Sequence, residues 1–253
     1  MSASPLPGPL RSASSGAGDA RARGRALRLD RGNFRTLLTL VACLVGQPTP
    51  ASLIGGCVLV LAGGALHLWA KGCLRINEEI TTSGPYRFTR NPFYLANLLI
   101  DVGICVVAYR TWLLLAAVAL WAFVYRRTIA REEQTLEALF GDHYRAYRAR
   151  VPRLFPLRGG ASGLPASEPF DWSNRNLASG REYARLAGLL AIPFLVWLVA
   201  GVRDEGLAFF SRSPRLELAA LAALLVLYGT RCVLIGRLKH ERRRVADALA
   251  PQE

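Results

Sequence analysis

Residues 51–70 form a run of twenty without a single charge. No other stretch narrows the fold so far. About 20 consecutive apolar residues are what a helix needs to cross the hydrocarbon core of a bilayer. Inside that core the backbone must satisfy its own hydrogen bonds. Further apolar runs lie at 34–46, 93–108, 111–125, 186–202 and 216–236. A tight turn at Tyr109 and Arg110 joins two of them into a hairpin. The expectation is an all-α fold, a polytopic integral membrane helical bundle of about six spans. The run at 34–46 is only 13 residues long. It reads as a short first span, a signal-peptide core, or a lipoprotein signal through Leu40-Val41-Ala42-Cys43. Only about six apolar residues precede Cys43, too few for a lipoprotein signal, and the short first span is preferred.

Charge sets the orientation. The formal net charge is +14, with 32 lysines and arginines. In a soluble chain such an excess points to nucleic acid. Here the cations lie between membrane-length runs, and topology accounts for them. Six spans put both termini on one side, together with 28 of the 32 cations; the other side keeps Arg110, Arg203, Arg212 and Arg215. That asymmetry places both termini in the cytosol, in a cell inner membrane or its equivalent. Residues 1–33 read as a disordered basic tail, 34–156 as the core, 157–184 as a Gly- and Pro-containing linker, and 185–253 as an additional hairpin with a basic tail. Phe170 and Trp172 in the linker are candidate interfacial anchors. His67 is an intramembrane histidine and so a functional candidate; near the end of its run, snorkelling to the interface is the preferred reading. Cys43, Cys57, Cys73, Cys105 and Cys232 include no CxxC pair. They read as small apolar residues, with no metal site.

Two constellations carry chemistry. The first is the polar loop Thr82-Ser-Gly-Pro-Tyr-Arg-Phe-Thr-Arg-Asn-Pro-Phe-Tyr94. Pro85 and Pro92 fix φ and push Gly84 and Asn91 out of the α region. Pro92 suits the first turn of the next helix. A rigid polar loop at the membrane edge lines a cavity, since lipid cannot satisfy its backbone. Tyr94, Asn97 and Asp101 then share one helix face. An acid two turns into a span faces a pocket or a partner, and the two readings stand level for Asp101. The second is Arg131-Glu132-Glu133 followed by Leu136, Phe140-Gly141, Tyr144, Tyr147 and Val151-Pro152. Glu132, Leu136 and Phe140 recur every four residues, an amphipathic pattern. Gly141 reads as a helix C-cap and Asp142 as the next N-cap. On composition alone, glutamates among arginines read as a solvated, salt-bridged face.

Taken together, Gly-Pro-Tyr-x3-Arg-Asn-Pro-x-Tyr, a membrane hairpin, and Glu-Glu-x2-Leu-x3-Phe-Gly-x2-Tyr-x2-Tyr-x3-Val-Pro resemble the isoprenylcysteine carboxyl methyltransferase family. Phospholipid N-methyltransferases are its wider relatives. The resemblance covers about 78–156. It implies a membrane-embedded methyltransferase using S-adenosyl-L-methionine, with a pocket at the cytosolic ends of the spans and a lateral opening for a lipophilic or lipidated substrate. Gly84, Pro85, Tyr86, Asn91, Pro92 and Tyr94 would form the cofactor wall, closed by Glu132 or Glu133. Asn97 and Asp101 would line a substrate pocket. Arg90 and Tyr94 would serve catalysis, with Arg90, preferred to Arg87 because it adjoins the turn entering the helix, as a fork for the cofactor carboxylate or an anionic substrate. The family often has His where this chain has Asn91, and Asn cannot titrate near neutral pH. No strong base is evident, and a carboxylate nucleophile needs none. Two other classes remain: an NADPH-dependent membrane reductase, whose usual motif resembles Arg-His-Pro-Asn-Tyr, and a non-enzymatic scaffold.

Overall fold

The computed structural model describes residues 31–75, 79–156, 160, 163, 167, 169–174, 177 and 180–248. The described elements are helices joined by turns. In chain order they are α1 (Arg31–Val45), α2 (Pro50–Cys73), a 3-10 turn (Gly84–Arg87), α3 (Pro92–Ala108), α4 (Thr111–Phe140), α5 (Asp142–Arg150), α6 (Arg181–Glu205), a short 3-10 turn, α7 (Phe209–Arg212) and α8 (Pro214–Ala248). Each apolar run read from the sequence is helical. Four helical stretches are long and apolar enough to cross a membrane: Pro50–Cys73, Thr111–Phe140, Arg181–Arg212 and Pro214–His240. Asn33–Val45 and Pro92–Ala108 are shorter apolar helices. The protein is a polytopic membrane helical bundle.

Local chemistry sets the boundaries. Thr49 caps α2: its Oγ1 accepts from the Ser52 amide at 3.1 Å, and Ser52 Oγ accepts from the Thr49 amide at 2.8 Å. This reciprocal box satisfies two otherwise orphaned donors. Tyr109 ends α3 in the left-handed region, φ 52°. That makes the hairpin turn a tight one. No glycine or proline interrupts 111–140, so the span and the charged helix beyond it are one rod. At 1.5 Å per residue it is about 45 Å long, more than a hydrocarbon core needs. Gly141, φ +54°, stops it. Asp142 is not the N-cap expected; Gly141 holds that place. The Asp142 carboxylate accepts instead from Arg145, at 2.5 and 3.0 Å.

Helices α2 and α3 pack closely through small residues. A Cβ on Gly63 would sit 2.7 Å from the Ala96 carbonyl oxygen, and one on Gly103 2.9 Å from that of Gly56. Close approach over small residues replaces the hydrophobic drive that lipid does not provide. Helix α6 packs against α1, α2 and α3, so the later hairpin enters the core. At the end opposite the polar loop, arginines cap the short α1. Arg203 donates to the carbonyls of Cys43 (2.9 Å), Leu44 and Gly46 (2.7 Å), and Arg110 to Val45 (2.7 Å). Cations at a helix C-terminus satisfy both its carbonyls and its dipole.

The described part of the linker is docked onto the bundle. Ser167 and Thr82 exchange two hydrogen bonds, at 2.9 and 3.0 Å. Asn174 Nδ2 donates to the carbonyls of Gly72 and Leu74, both at 3.1 Å. Phe170 packs with Ala70, Cys73 and Tyr86, while Trp172 stays exposed. Phe170 is thus held by protein. The expected tail 1–33 falls, except for its last residues, outside the described residues.

Candidate functional site

The polar loop is held by its neighbours. Gly84 needs to be glycine twice over: its φ is +54°, and a Cβ would press against Cys73 Sγ and Trp69 Nε1. Beyond the 3-10 turn, Pro92 opens α3. Two residues later Tyr94 points at α4, and its hydroxyl donates to Glu132 Oε1 at 2.7 Å. The Tyr94 ring meets Tyr125 edge-on at 5.2 Å, and Tyr125 lies 4.9 Å from Trp121. The expected meeting of the proline-fixed loop and the acidic helix is therefore present in the geometry.

Glu133 points away from Glu132 and is buried, because adjacent helical residues lie about 100° apart. Its Oε2 accepts from Arg153 at 2.6 and 3.0 Å. Its Oε1 sits 3.2 Å from Arg90 and accepts from Asn91 Nδ2 at 3.3 Å. The loop also pairs with the chain after α5: the Arg90 amide donates to Pro152 O at 3.0 Å. Tyr147 Oη donates to Tyr86 O at 2.7 Å. Tyr144, Tyr147 and Val151 form a small apolar cluster with Ile80 and Phe140. Burial, then the nearby Glu133 charge, raises the Tyr144 phenol to about 12. Burial and the Tyr144 hydroxyl push Tyr147 up as well. Together these contacts form a clasp on the loop.

A cleft of about 1190 Å³ lies beside the clasp, bounded by α1, α2, α3, α4, α6 and α8. Of the residues singled out in the sequence, His67, Tyr94, Asn97 and Glu132 line it. Gly84, Pro85, Tyr86, Asn91, Pro92 and Glu133 do not, though the Asn91 carbonyl accepts from the Tyr94 amide at 3.1 Å. Arg90 does not reach the cleft, because Glu133 and the Arg148 carbonyl hold its guanidinium. Asp101 is not in the lining either. It is 2% exposed and pairs with Arg35 Nε at 2.7 Å. Of its two level readings, the structural partner is the one seen.

Several lining residues were not legible from the motifs. His67 does not snorkel: it is buried, with Nε2 3.0 Å from Glu182 Oε2 and 3.2 Å from Arg185 Nη1. Its ring lies 4.9 Å from Phe93. Lys71 Nζ lies 3.5 Å from Glu182 Oε1. Arg35 and Arg185 both donate to Asn97 Oδ1, at 3.1 and 3.4 Å. The available signals were His67, an ionisable residue inside a span, and Glu182 with Arg185, spaced i, i+3 at the start of an apolar run. Nothing in their own segment says that they meet His67, 115 residues earlier.

Residues 52–143 match the phospholipid methyltransferase family. The stretch runs from α2 into the start of α5 and contains Tyr94 and Glu132. Methanethiol S-methyltransferase 1 of Bradyrhizobium diazoefficiens is 38% identical over 73 residues, 29% of this chain and 25% of that one. Protein-S-isoprenylcysteine O-methyltransferase of Schizosaccharomyces pombe is 34% identical over 79 residues, 31% of this chain and 33% of that one. The cobalt-zinc-cadmium resistance protein CzcN of Cupriavidus metallidurans is 30% identical over 82 residues, 32% of this chain and 38% of that one. The matches thus span between 25% and 38% of the curated relatives' own lengths. No solved structure matches significantly. The segment holding the Tyr94–Glu132 contact is thus similar to the phospholipid methyltransferases, and the resemblance to the isoprenylcysteine carboxyl methyltransferases read from its motifs stands.

Proposed function

We propose that this protein is a membrane methyltransferase that uses S-adenosyl-L-methionine and methylates a lipophilic or lipidated acceptor. The observation that carries the reading is the Tyr94–Glu132 contact on the wall of a cleft of about 1190 Å³, inside the segment that matches the methyltransferase family. The residues present fit the donor. The exposed Glu132 carboxylate suits an ammonium or ribose hydroxyls, the rings of Tyr94 and Phe93 flank the same wall, and the volume admits a nucleoside.

Held by Glu132 and the Tyr94–Phe93 wall, the donor would supply an electrophilic sulfonium methyl, with the neutral thioether as its leaving group. The chain's own work is positional. Tyr94 fixes the Glu132 carboxylate, and a charge-assisted hydrogen bond of this kind contributes about 1.5–3 kcal/mol. The clasp holds Tyr94 on a stiff helix end, which favours an in-line arrangement of the reacting atoms. Tyr125 and Trp121 keep water from that wall. On the far side, Leu189, Ile192 and Leu225 give the cleft an apolar flank suited to a chain entering from the bilayer.

Membranes containing the protein, incubated with methyl-labelled S-adenosyl-L-methionine, test the proposal. Label should pass to a lipophilic acceptor, and Glu132→Gln should slow the transfer at least about tenfold at sub-saturating donor. Base-labile label identifies an ester; stable label in lipid identifies an amine. Binding of NADPH without binding of S-adenosyl-L-methionine would overturn the reading in favour of a reductase.

A further inference from the structure

His67 lies on the wall of the cleft, and nothing in the binding of a methyl donor uses it. It is 7% exposed, towards the end of α2. An ionisable side chain inside a span is costly, and partners or a task keep it there.

The two ring nitrogens stand differently. Nε2 meets Glu182 Oε2 at 3.0 Å and Arg185 Nη1 at 3.2 Å. A carboxylate only accepts and a guanidinium only donates, so one of these contacts is not a hydrogen bond. The carboxylate contact is the shorter, and Arg185 has another acceptor in Asn97 Oδ1 at 3.4 Å. Nε2 therefore carries the hydrogen, and Glu182 fixes the tautomer. Lys71 Nζ, 3.5 Å from Glu182 Oε1, holds the other oxygen of that carboxylate.

The neutral ring then keeps a lone pair on Nδ1. This atom is buried and has no hydrogen-bond partner among the described residues. Buried polar atoms are nearly always paired, and an orphan calls for a reason. An imidazole oriented by a carboxylate on one nitrogen and bare on the other is built as a general base. The Phe93 ring, 4.9 Å from His67, adjoins Tyr94, so the base stands beside the wall where Glu132 is fixed.

We infer that His67 Nδ1 is the proton acceptor of the cleft, and that the methyl acceptor carries a hydrogen on its nucleophile, as a thiol or an ammonium does and a carboxylate does not. This rests on the methyltransferase reading and names the class of its acceptor. The S–H or N–H bond breaks and its proton goes to Nδ1. The electron pair left on sulfur or nitrogen forms the bond to the electrophilic methyl, whose former bonding pair departs with the thioether. The imidazolium so formed is offset by Glu182, whose side chain is 15% exposed.

The full chain in phosphatidylcholine nanodiscs tests this with dodecanethiol, dodecylamine and dodecanoate. The chain holds three histidines, His67, His143 and His240, so nitrogen-15 spectra of histidine-labelled protein are assigned by His67→Gln. With no methyl donor present, dodecanethiol or dodecylamine should shift the His67 Nδ1 signal, and dodecanoate should leave it in place. With methyl-labelled S-adenosyl-L-methionine, transfer to the responding probe at about pH 7 should fall about hundredfold in His67→Gln. The deficit should shrink towards about pH 10, where the probe sheds its own proton. The charged groups facing the ring are Glu182 and Arg185 of α6 and Lys71 of α2. All three remain in the variant, so the lost pH dependence belongs to His67. S-adenosylhomocysteine should bind the variant as it binds wild type, which shows the variant folded. Should the variant fail to fold, wild-type spectra assigned by His143→Gln and His240→Gln decide alone. A signal unmoved by both protonated probes, or a deficit that is absent or equal at every pH, overturns the base. Failure of wild type to bind S-adenosylhomocysteine overturns the methyltransferase reading instead, and the inference with it.

Discussion

Glu132 and Glu133 are neighbours with different surroundings. Glu132 is exposed to the cleft and fixed by Tyr94; Glu133 is 4% exposed and bound by Arg90, Asn91 and Arg153. Replacing them should separate function from stability. Glu132→Gln should weaken binding of S-adenosylhomocysteine about tenfold while leaving thermal unfolding in detergent nearly unchanged. Tyr94→Phe should act in the same direction, and the double variant should lose less than the sum, because both remove one contact. Glu133→Ala leaves Arg90 buried without its carboxylate, which should cost about 3 kcal/mol and lower the melting temperature. The doublet was visible in the sequence, but which member faces the cleft was not. A helix turns about 100° per residue, and only the position of α4 against α3 fixes the phase.

At the scale of elements, the clasp made by α5 and the 3-10 turn decides where Tyr94 stands. Gly84→Ala adds a Cβ to a left-handed residue pressed against Cys73. It should destabilise the protein by at least about 1–2 kcal/mol, read as a drop in melting temperature. The clasp should also respond to alkali. Tyr144 and Tyr147 hold their protons more tightly folded than unfolded. Their contribution is complete below the ordinary phenol value of 10.0 and is lost as pH climbs through about 12. Stability followed by urea unfolding should fall over that window in wild type. It should fall less steeply in Tyr144→Phe and Tyr147→Phe. Both tyrosines were named in the second constellation of the sequence. Their partner, the Tyr86 carbonyl, was not legible, since a backbone acceptor leaves no mark in residue type.

For the molecule as a whole, the charge count predicts sidedness. Single cysteines replacing Arg87 and Arg148 should react with a membrane-impermeant reagent from one side, and those replacing Arg110 and Arg212 from the other. Agreement with the positive-inside rule puts the first pair in the cytosol. The later hairpin matters to the same cleft. Helix α6 brings Glu182 and Arg185 to His67 and Asn97, and α8 brings Arg231. A chain ending before α6 should lose binding of S-adenosylhomocysteine even where the matched segment is intact. Labelled-ligand retention on the purified fragment checks this.

What the sequence determined by itself was the solvent and the repertoire: apolar runs of bilayer length admit little but helices, prolines and glycines stiffen one loop, and cations divide by side. Those are one-dimensional facts, set by composition and by the backbone's need to close its own hydrogen bonds. Which charges neutralise one another was decided in three dimensions. Arg90 went to Glu133, Asp101 to Arg35 and His67 to Glu182 because helices far apart in the chain bring their side chains together, and inside a membrane a charge takes whatever counter-ion the packing supplies. Pairing of that kind depends on distances across the bundle, to which the order of residues along the chain is indifferent.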